Sequence, residues 1–191
     1  MSRIRITGGK WRSRLIAVAD VRGLRPTPDR VRVTLFNWLG QDLSGQSCLD
    51  LFAGSGVLGF EAASRGAARV TLVEQDQGAF AALRQNAQAL GDEQLELIRS
   101  DALIFMQSAA KPAAADRLEQ IRRRERYDLV FLDPPYHQGW LARIEPLLQN
   151  IVNPGARLYV EAERAVESLG EWVSVRAGRA GQVYYHLLER P

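Results

Sequence analysis

Cysteine and histidine are nearly absent from this chain: one Cys and two His in 191 residues. The lone Cys48 excludes a disulfide framework and a cysteine-bound metal cluster. His137 and His186 stand far apart in sequence, so no metal site is expected. No apolar run approaches the roughly 20 residues needed to cross a bilayer, so no membrane partner is expected. The opening "MSRIRITGGKWRSR" lacks an apolar signal core, which points to the cytoplasm. There is no internal repeat. Acids are scarce in one region. Through Arg32 there are only Asp20 and Asp29, against Arg3, Arg5, Lys10, Arg12, Arg14, Arg22, Arg25, Arg30 and Arg32.

That imbalance survives in a chain whose formal charge is only +3. A basic segment attracts polyanions, and nucleic acid is the first candidate. A solvated basic face explains the same charge equally well. Arginine outnumbers lysine, which favours phosphate recognition through forked donors. With 46% hydrophobic residues, the chain has enough apolar surface for one globular domain. The expected division is a basic hairpin-and-helix extension over residues 1–40 and a main domain over 41–191.

"RIRITGG" and "SRLIAVAD" alternate apolar and polar residues and predict a hairpin with the glycines between its strands. In "RPTPDRVRVTLFNWLG", Thr27 or Asp29 can cap a helix. Val31, Leu35 and Trp38 share one face of it, and Gly40 ends it. From Ser47 apolar strands alternate with helices: "SCLDLFAG", "RVTLVEQD", "LELIRSDA", "YDLVFLDPPY" and "ARLYVEAE" are the strands. This alternation predicts an α/β fold with a mostly parallel, doubly wound sheet. "WVSVRAGRAGQVYYHLLER" closes the chain as two β-rich runs around "AGRAG", an antiparallel hairpin on a parallel sheet. The charged stretch at 111–126 reads as a helical, solvated insertion.

Ligands of open α/β sheets bind at the carboxyl ends of the strands. Here the first strand ends in "DLFAGSG", the second in Glu74, the third in Asp101 and the fourth in Asp133. Single acids there can be helix caps; four in a row are harder to assign to capping. "GSGVLG" (Gly54, Gly56, Gly59) matches the G-x-G-x-x-G turn, and Glu74 follows at the spacing of a ribose-binding acid. Small residues also suit a tight turn and close helix packing. Asp101 is placed to accept from an adenine amino group. A nicotinamide dinucleotide and S-adenosylmethionine both fit, and the turn does not choose between them.

The fourth strand end does. In "FLDPPYHQG" a core strand runs into an acid, two prolines and an aromatic. Strand termination alone would explain the prolines. It does not explain Asp133 beside rigid backbone at the ligand edge. Methylating an exocyclic amino group needs its lone pair drawn out of the ring. Two acceptors on the amino hydrogens do this: the Asp133 side chain and the Pro134 carbonyl, held by fixed proline φ. Tyr136 offers a face for an extruded base, a stacking contact of about 1–3 kcal/mol.

These residues resemble the amino-group methyltransferases with a D/N-P-P-Y/F motif, most closely the RsmD family. The resemblance runs through "RITGGKWRSR", "RPTPDRVRVTLFNWL", "CLDLFAGSGVLGFEAASRGA", "VEQD", "SDA", "FLDPPY" and "LYVEAE" in order. It departs from the family pattern at Pro28, Val33 and the stretch at 111–126. It implies a Rossmann-like methyltransferase fold and S-adenosylmethionine as donor. The implied reaction is methylation of guanine N2, at guanine 966 of the RNA, in 16S ribosomal RNA. The expected setting is a monomer acting on an assembling small ribosomal subunit. Carried over by motif, Asp50, Phe52, Ala53, Gly54, Gly56, Glu74, Asp101 and Thr27 hold the cofactor. Asp133, Pro134, Pro135 and Tyr136 form the acceptor site. Arg3, Arg5, Lys10, Arg12, Arg14, Arg25, Arg30 and Arg32 are the RNA contacts. A DNA adenine-N6 methyltransferase shares the motif but needs a target-recognition domain for which there is little room. A nicotinamide-dependent oxidoreductase leaves the Asp-Pro-Pro-Tyr stretch unexplained. A non-catalytic RNA-binding protein leaves the strand-end acids unexplained. Glu161, at the end of the fifth strand, reads equally as a pocket wall or a surface cap.

Overall fold

In the computed structural model, residues 2–191 are described except 22, 24, 92 and 110–125. Arg22 and all of the 111–126 stretch but Arg126 lie outside the described residues. Two short strands, β1 (Ser2–Arg5) and β2 (Leu15–Val18), pair antiparallel with Ile4 opposite Ile16. Their connection is longer than a glycine hairpin. Residues 9–11 form a 3-10 turn whose Trp11 N–H donates to Ser64 Oγ at 2.9 Å. Gly9 has φ +72°, and a Cβ there would sit 1.9 Å from the Ser64 carbonyl oxygen. The glycines therefore serve docking onto a distant helix, which a local reading of "GG" misses.

The main sheet has eight strands: β3 (Ser47–Asp50), β4 (Arg69–Glu74), β5 (Leu95–Arg99), β6 (Tyr127–Leu132), β7 (Val152–Ala162), β8 (Ser168–Leu169), β9 (Trp172–Ala180) and β10 (Val183–Glu189). Their spatial order is β5-β4-β3-β6-β7-β10-β9-β8. The first five positions are parallel and the last three antiparallel, as the alternation predicted. The helices are α1 (Asp29–Leu39), α2 (Val57–Ser64), α3 (Gln77–Leu90), α4 (Ala102–Ala109) and α5 (Trp140–Ile151). Helices α1 to α3 cover one face: Leu35, Phe36, Phe60 and Leu83 pack there with Leu129 and Phe131 of β6. Helices α4 and α5 cover the other, where Met106, Ile144 and Leu148 meet Val130 and Leu132. The β6 run "LVFL" thus sends alternate side chains into two cores, which is why it is apolar throughout. No helix among the described residues is long and apolar enough to cross a membrane.

Some boundaries differ from the sequence reading. The final turn falls at residues 181–182, starting at the last glycine of "AGRAG", whose first four residues belong to β9. Gly178 lies inside β9 opposite Tyr185, and a Cβ there would come 2.3 Å from the tyrosine ring. The glycine makes room for an aromatic that stacks on Trp38 with centroids 5.5 Å apart. The chain moves from β3 outward through β4 and β5, then returns to the other side of β3 with β6. The strand order reverses between β3 and β6, and that is where a crevice opens in such sheets.

Candidate active site

The turn after β3 is tied to both neighbouring strands. Leu51 N–H donates to the Phe131 carbonyl and Ala53 N–H to the Val73 carbonyl, at 3.2 and 2.9 Å. Gly54 and Gly56 have φ of +51° and +74°. Gly56 caps α2 in the left-handed conformation, and a Cβ on it would lie 2.3 Å from Leu83 Cδ2. Gly59 packs α2 onto β4: its Cβ would meet Leu72 at 2.8 Å. Its N–H donates to Asp50 Oδ2 at 3.0 Å. Glu74 braces the same turn, accepting from Gly54 N–H and Asp76 N–H, both at 2.7 Å. Asp101 accepts through Oδ1 from Leu103 and Ile104 N–H, capping α4 and leaving Oδ2 over. Phe52 sets its edge against Trp140, centroids 5.2 Å apart. Each carboxylate oxygen of Glu74 has a second lone pair, and Asp101 has a whole oxygen. That acceptor-only set beside the two glycines of the turn suits a ribose diol and an exocyclic amine, the polar parts of an adenosine.

Three carboxyl groups meet at the strand ends flanking the switch point: Asp50 as the last residue of β3, Asp133 after β6 and Glu161 in β7. Leu132 pairs with Val160 across the β6–β7 ladder, so Asp133 and Glu161 stand side by side one residue on. Glu161 is buried, and its Oε1 accepts from the Thr27 hydroxyl at 2.8 Å and the Tyr159 hydroxyl at 2.9 Å. Burial pushes all three acids up. Asp50 rises to about 7, chiefly by desolvation; the Gly59 N–H pulls it back, while Glu74 and Glu161 raise it further. Asp133 is held well above the ordinary range by burial, then by Glu161 and Asp50. Glu161 is raised by burial against the pull of its two hydroxyl partners. The Tyr136 hydroxyl is also raised, by burial and then by Asp133, Glu161 and Glu163.

The raised Asp50 makes stability fall with pH. Between an unfolded value near 3.8 and the folded value of about 7, the folded state holds the extra proton. Stability is therefore highest below that window and declines through it, by on the order of 4 kcal/mol at most. Asp50→Asn keeps an acceptor for Gly59 and removes the charge. Thermal melts at pH 5 and pH 8 should show it gaining most at pH 8; an equal shift at both would discard this account.

Beside Asp133 the chain opens into a cleft of about 510 Å³. Its walls include Pro134, Pro135, Trp140, Glu161 and residues 163–169. Pro134 is buried and Pro135 exposed, while Tyr136 is half-buried at the rim. His137 is exposed, with φ +61° and its Nδ1 3.8 Å from Glu163 Oε1.

The basic segment divides. Arg3, Arg5, Lys10, Arg12, Arg14, Arg25 and Arg30 are exposed. Lys10 lies 4.8 Å over the Trp11 ring, and Arg14 donates to the Ala89 carbonyl at 2.9 Å. Arg32 corrects the sequence reading: it is fully buried and is no surface contact. Its guanidinium donates to the Thr27 and Arg5 carbonyls and to Asp29 and Glu61. Thr27 and Asp29 do not cap α1. Pro28 takes that place without a side-chain bond; Thr27 bonds across the fold to Glu161, and Asp29 pairs with Arg32 one turn along the same helix. Trp11 is buried. Sequence reasoning missed Glu61 and Tyr159, and it left Glu161 undecided. For Glu161 a signal existed, since "LYVEAE" repeats the apolar run ending in an acid.

Parallel sheet, left-handed glycine turn and strand-end acids together make the Rossmann-like fold of S-adenosylmethionine-dependent methyltransferases. The Escherichia coli protein yhhF, as a solved structure, superposes with a TM-score of 0.82 at 39% identity, covering 99% of this chain and 98% of its own. The chain belongs to the family described as conserved hypothetical protein 95, whose model matches residues 4–189. Ribosomal RNA small subunit methyltransferase D of Escherichia coli is 40% identical over 194 residues, 98% of this chain and 90% of that protein. The Haemophilus influenzae protein of the same name is 39% identical, over 97% and 93%. An RNA methyltransferase from Salinibacter ruber, solved with S-adenosyl-L-homocysteine, shares the fold at a TM-score of 0.63 and 20% identity, over 87% of this chain and 94% of its own.

Proposed function

We propose that this protein methylates the N2 amino group of a guanine in small-subunit ribosomal RNA, with S-adenosylmethionine as donor. The observation that carries this reading is Asp133 with Pro134 at the switch point, one strand from a glycine turn braced by Glu74. The names of the relatives, ribosomal RNA small subunit methyltransferases, support the RNA class. The S-adenosyl-L-homocysteine held by a protein of the same fold supports the donor.

Glu74 and Asp101 would receive the ribose and adenine, with the Gly54–Gly56 turn giving close approach. Asp50, Phe52, Ala53 and Thr27 would line the rest of the cofactor site. When bound, the donor would supply an electrophilic sulfonium methyl to the amino nitrogen and leave as S-adenosyl-L-homocysteine, the amine proton passing to water. Asp133 and the Pro134 carbonyl each accept one amino hydrogen and turn the nitrogen lone pair out of conjugation. Pro135 stiffens that backbone, and Tyr136 gives the base a stacking face. Arg3, Arg5, Lys10, Arg12, Arg14, Arg25 and Arg30 would take the RNA phosphates. The enzyme acts as a cytoplasmic monomer on an assembling subunit.

The test is incubation with labelled S-adenosylmethionine and small subunits lacking base methylation, followed by digestion to nucleosides. Label in N2-methylguanosine at one site is the expected result. Label in another nucleoside would remove the guanine reading, and label in DNA adenine would replace the RNA reading altogether.

A further inference from the structure

Asp133 and the Pro134 carbonyl accept amino hydrogens, and adenine, guanine and cytosine all carry an amino group with two of them. Those two acceptors cannot choose a base. Guanine differs on the same edge by the N1–H next to its amino group, a donor where adenine N1 is an acceptor. A guanine site therefore needs a further acceptor beside Asp133. Glu161 stands there, next to Asp133 in the ladder and in the wall of the same cleft as Pro134 and Pro135. Its two oxygens are not equivalent. Oε1 takes both the Thr27 and the Tyr159 hydroxyl, and no donor among the described residues reaches Oε2. Arg69 Nε alone among the described residues is a fully buried side-chain polar atom without a partner, so Oε2 opens to the cleft as an acceptor that a ligand can reach.

Resting on the function proposed above, we infer that Glu161 selects the base, its Oε2 accepting the N1–H of the target guanine while Asp133 accepts from N2. Thr27 and Tyr159 then act as positioning residues. They come from opposite ends of the chain and fix which oxygen is left for the base. They also fix the outcome of an amide replacement. In Glu161→Gln the carbonyl oxygen must face the two hydroxyls, so the NH₂ falls where Oε2 was. An acceptor becomes a donor with little change in shape.

The experiment compares two RNAs, with guanine or 2-aminopurine at the target position. Both carry the 2-amino group, but 2-aminopurine has an acceptor at N1. The wild-type enzyme is expected to favour guanine by about 100-fold or more in kcat/KM. In Glu161→Gln, guanine methylation falls by about 100-fold, 2-aminopurine methylation is kept or rises, and cofactor affinity is unchanged. Equal wild-type rates on the two RNAs overturn the inference whatever the variant does, including a failure to fold. An unchanged preference in a folded Glu161→Gln overturns it too. If that variant instead loses cofactor affinity, Glu161 serves the ammonium of the donor and the inference is wrong. Absence of methylation on both RNAs by the wild type overturns the proposed function, and this inference with it.

Discussion

An Asp133→Ala variant is expected to lose methyl transfer by about 100- to 1,000-fold, the scale on which one preorganised polar partner acts. Its cofactor affinity should stay near wild type, because on the proposed reading the turn, Glu74 and Asp101 would hold the adenosine without it. Stability gives a second, opposite signature. Asp133 is raised by burial and by two neighbouring acids, so ionising it works against the folded state. With its folded value above its unfolded one, the cost is absent at acid pH and grows as pH rises through that window. The variant should therefore melt at or above the wild-type temperature at pH 8 and gain nothing at pH 4. Asp133→Asn keeps one acceptor oxygen and should retain part of the activity. Single-turnover transfer rates with bound donor measure the first effect and thermal melts the second. Wild-type transfer in the alanine variant would remove Asp133 from the chemistry. Loss of transfer together with a lower melting temperature at pH 8 would make its role structural.

The largest effect on stability is expected from Glu61→Ala. Glu61 lies in the middle of α2 with no exposure. Its Oε1 accepts from the Thr7 N–H and hydroxyl, each at 2.8 Å, and pairs with Arg32; its Oε2 pairs with Arg65. The Arg65 guanidinium also lies 4.0 Å over the Phe36 ring. One carboxylate thus joins β1's connection, α1 and α2. Alanine would leave the buried Arg65 without its counter-charge and Arg32 with the exposed Asp29 alone, a loss of about 3–5 kcal/mol. For a chain of this size that lowers the melting temperature by roughly 10 °C. Urea unfolding of Glu61→Ala and Glu61→Gln measures it, the amide keeping the shape and part of the hydrogen bonding. An alanine variant within about 1 kcal/mol of wild type would show that desolvation of the three ions cancels their attraction.

Much of this was written locally in the chain. Strands buried on both faces read as unbroken apolar runs, so β3, β4, β6 and β7 were visible, and with them the acids at their ends. Glu61 and Arg32 were invisible for the opposite reason. A single acid in "GFEAASRG" and the second of two bases in "DRVRV" look like solvated positions until the fold brings residues 7, 32, 61 and 65 together. Thr27 shows a local rule overridden. Its hydroxyl suits a helix cap as an acceptor, yet it donates to a buried carboxylate across the sheet instead. Gly178 shows the reverse error: glycine marked a turn by composition, while the strand used it to admit the Tyr185 ring.

The Thr27–Glu161 hydrogen bond joins residues 134 positions apart. Chain closure over that distance is unfavourable until the intervening strands and helices have ordered. The adenosine end of the site is built from shorter spans, the 20 residues between Gly54 and Glu74 among them. The two halves of the site therefore mature at different moments of folding. On the proposed reading, a chain that has just formed its glycine turn would already offer the nucleoside end of the site, while the edge proposed for the base would be completed only when the segment before the first helix locks onto the seventh strand.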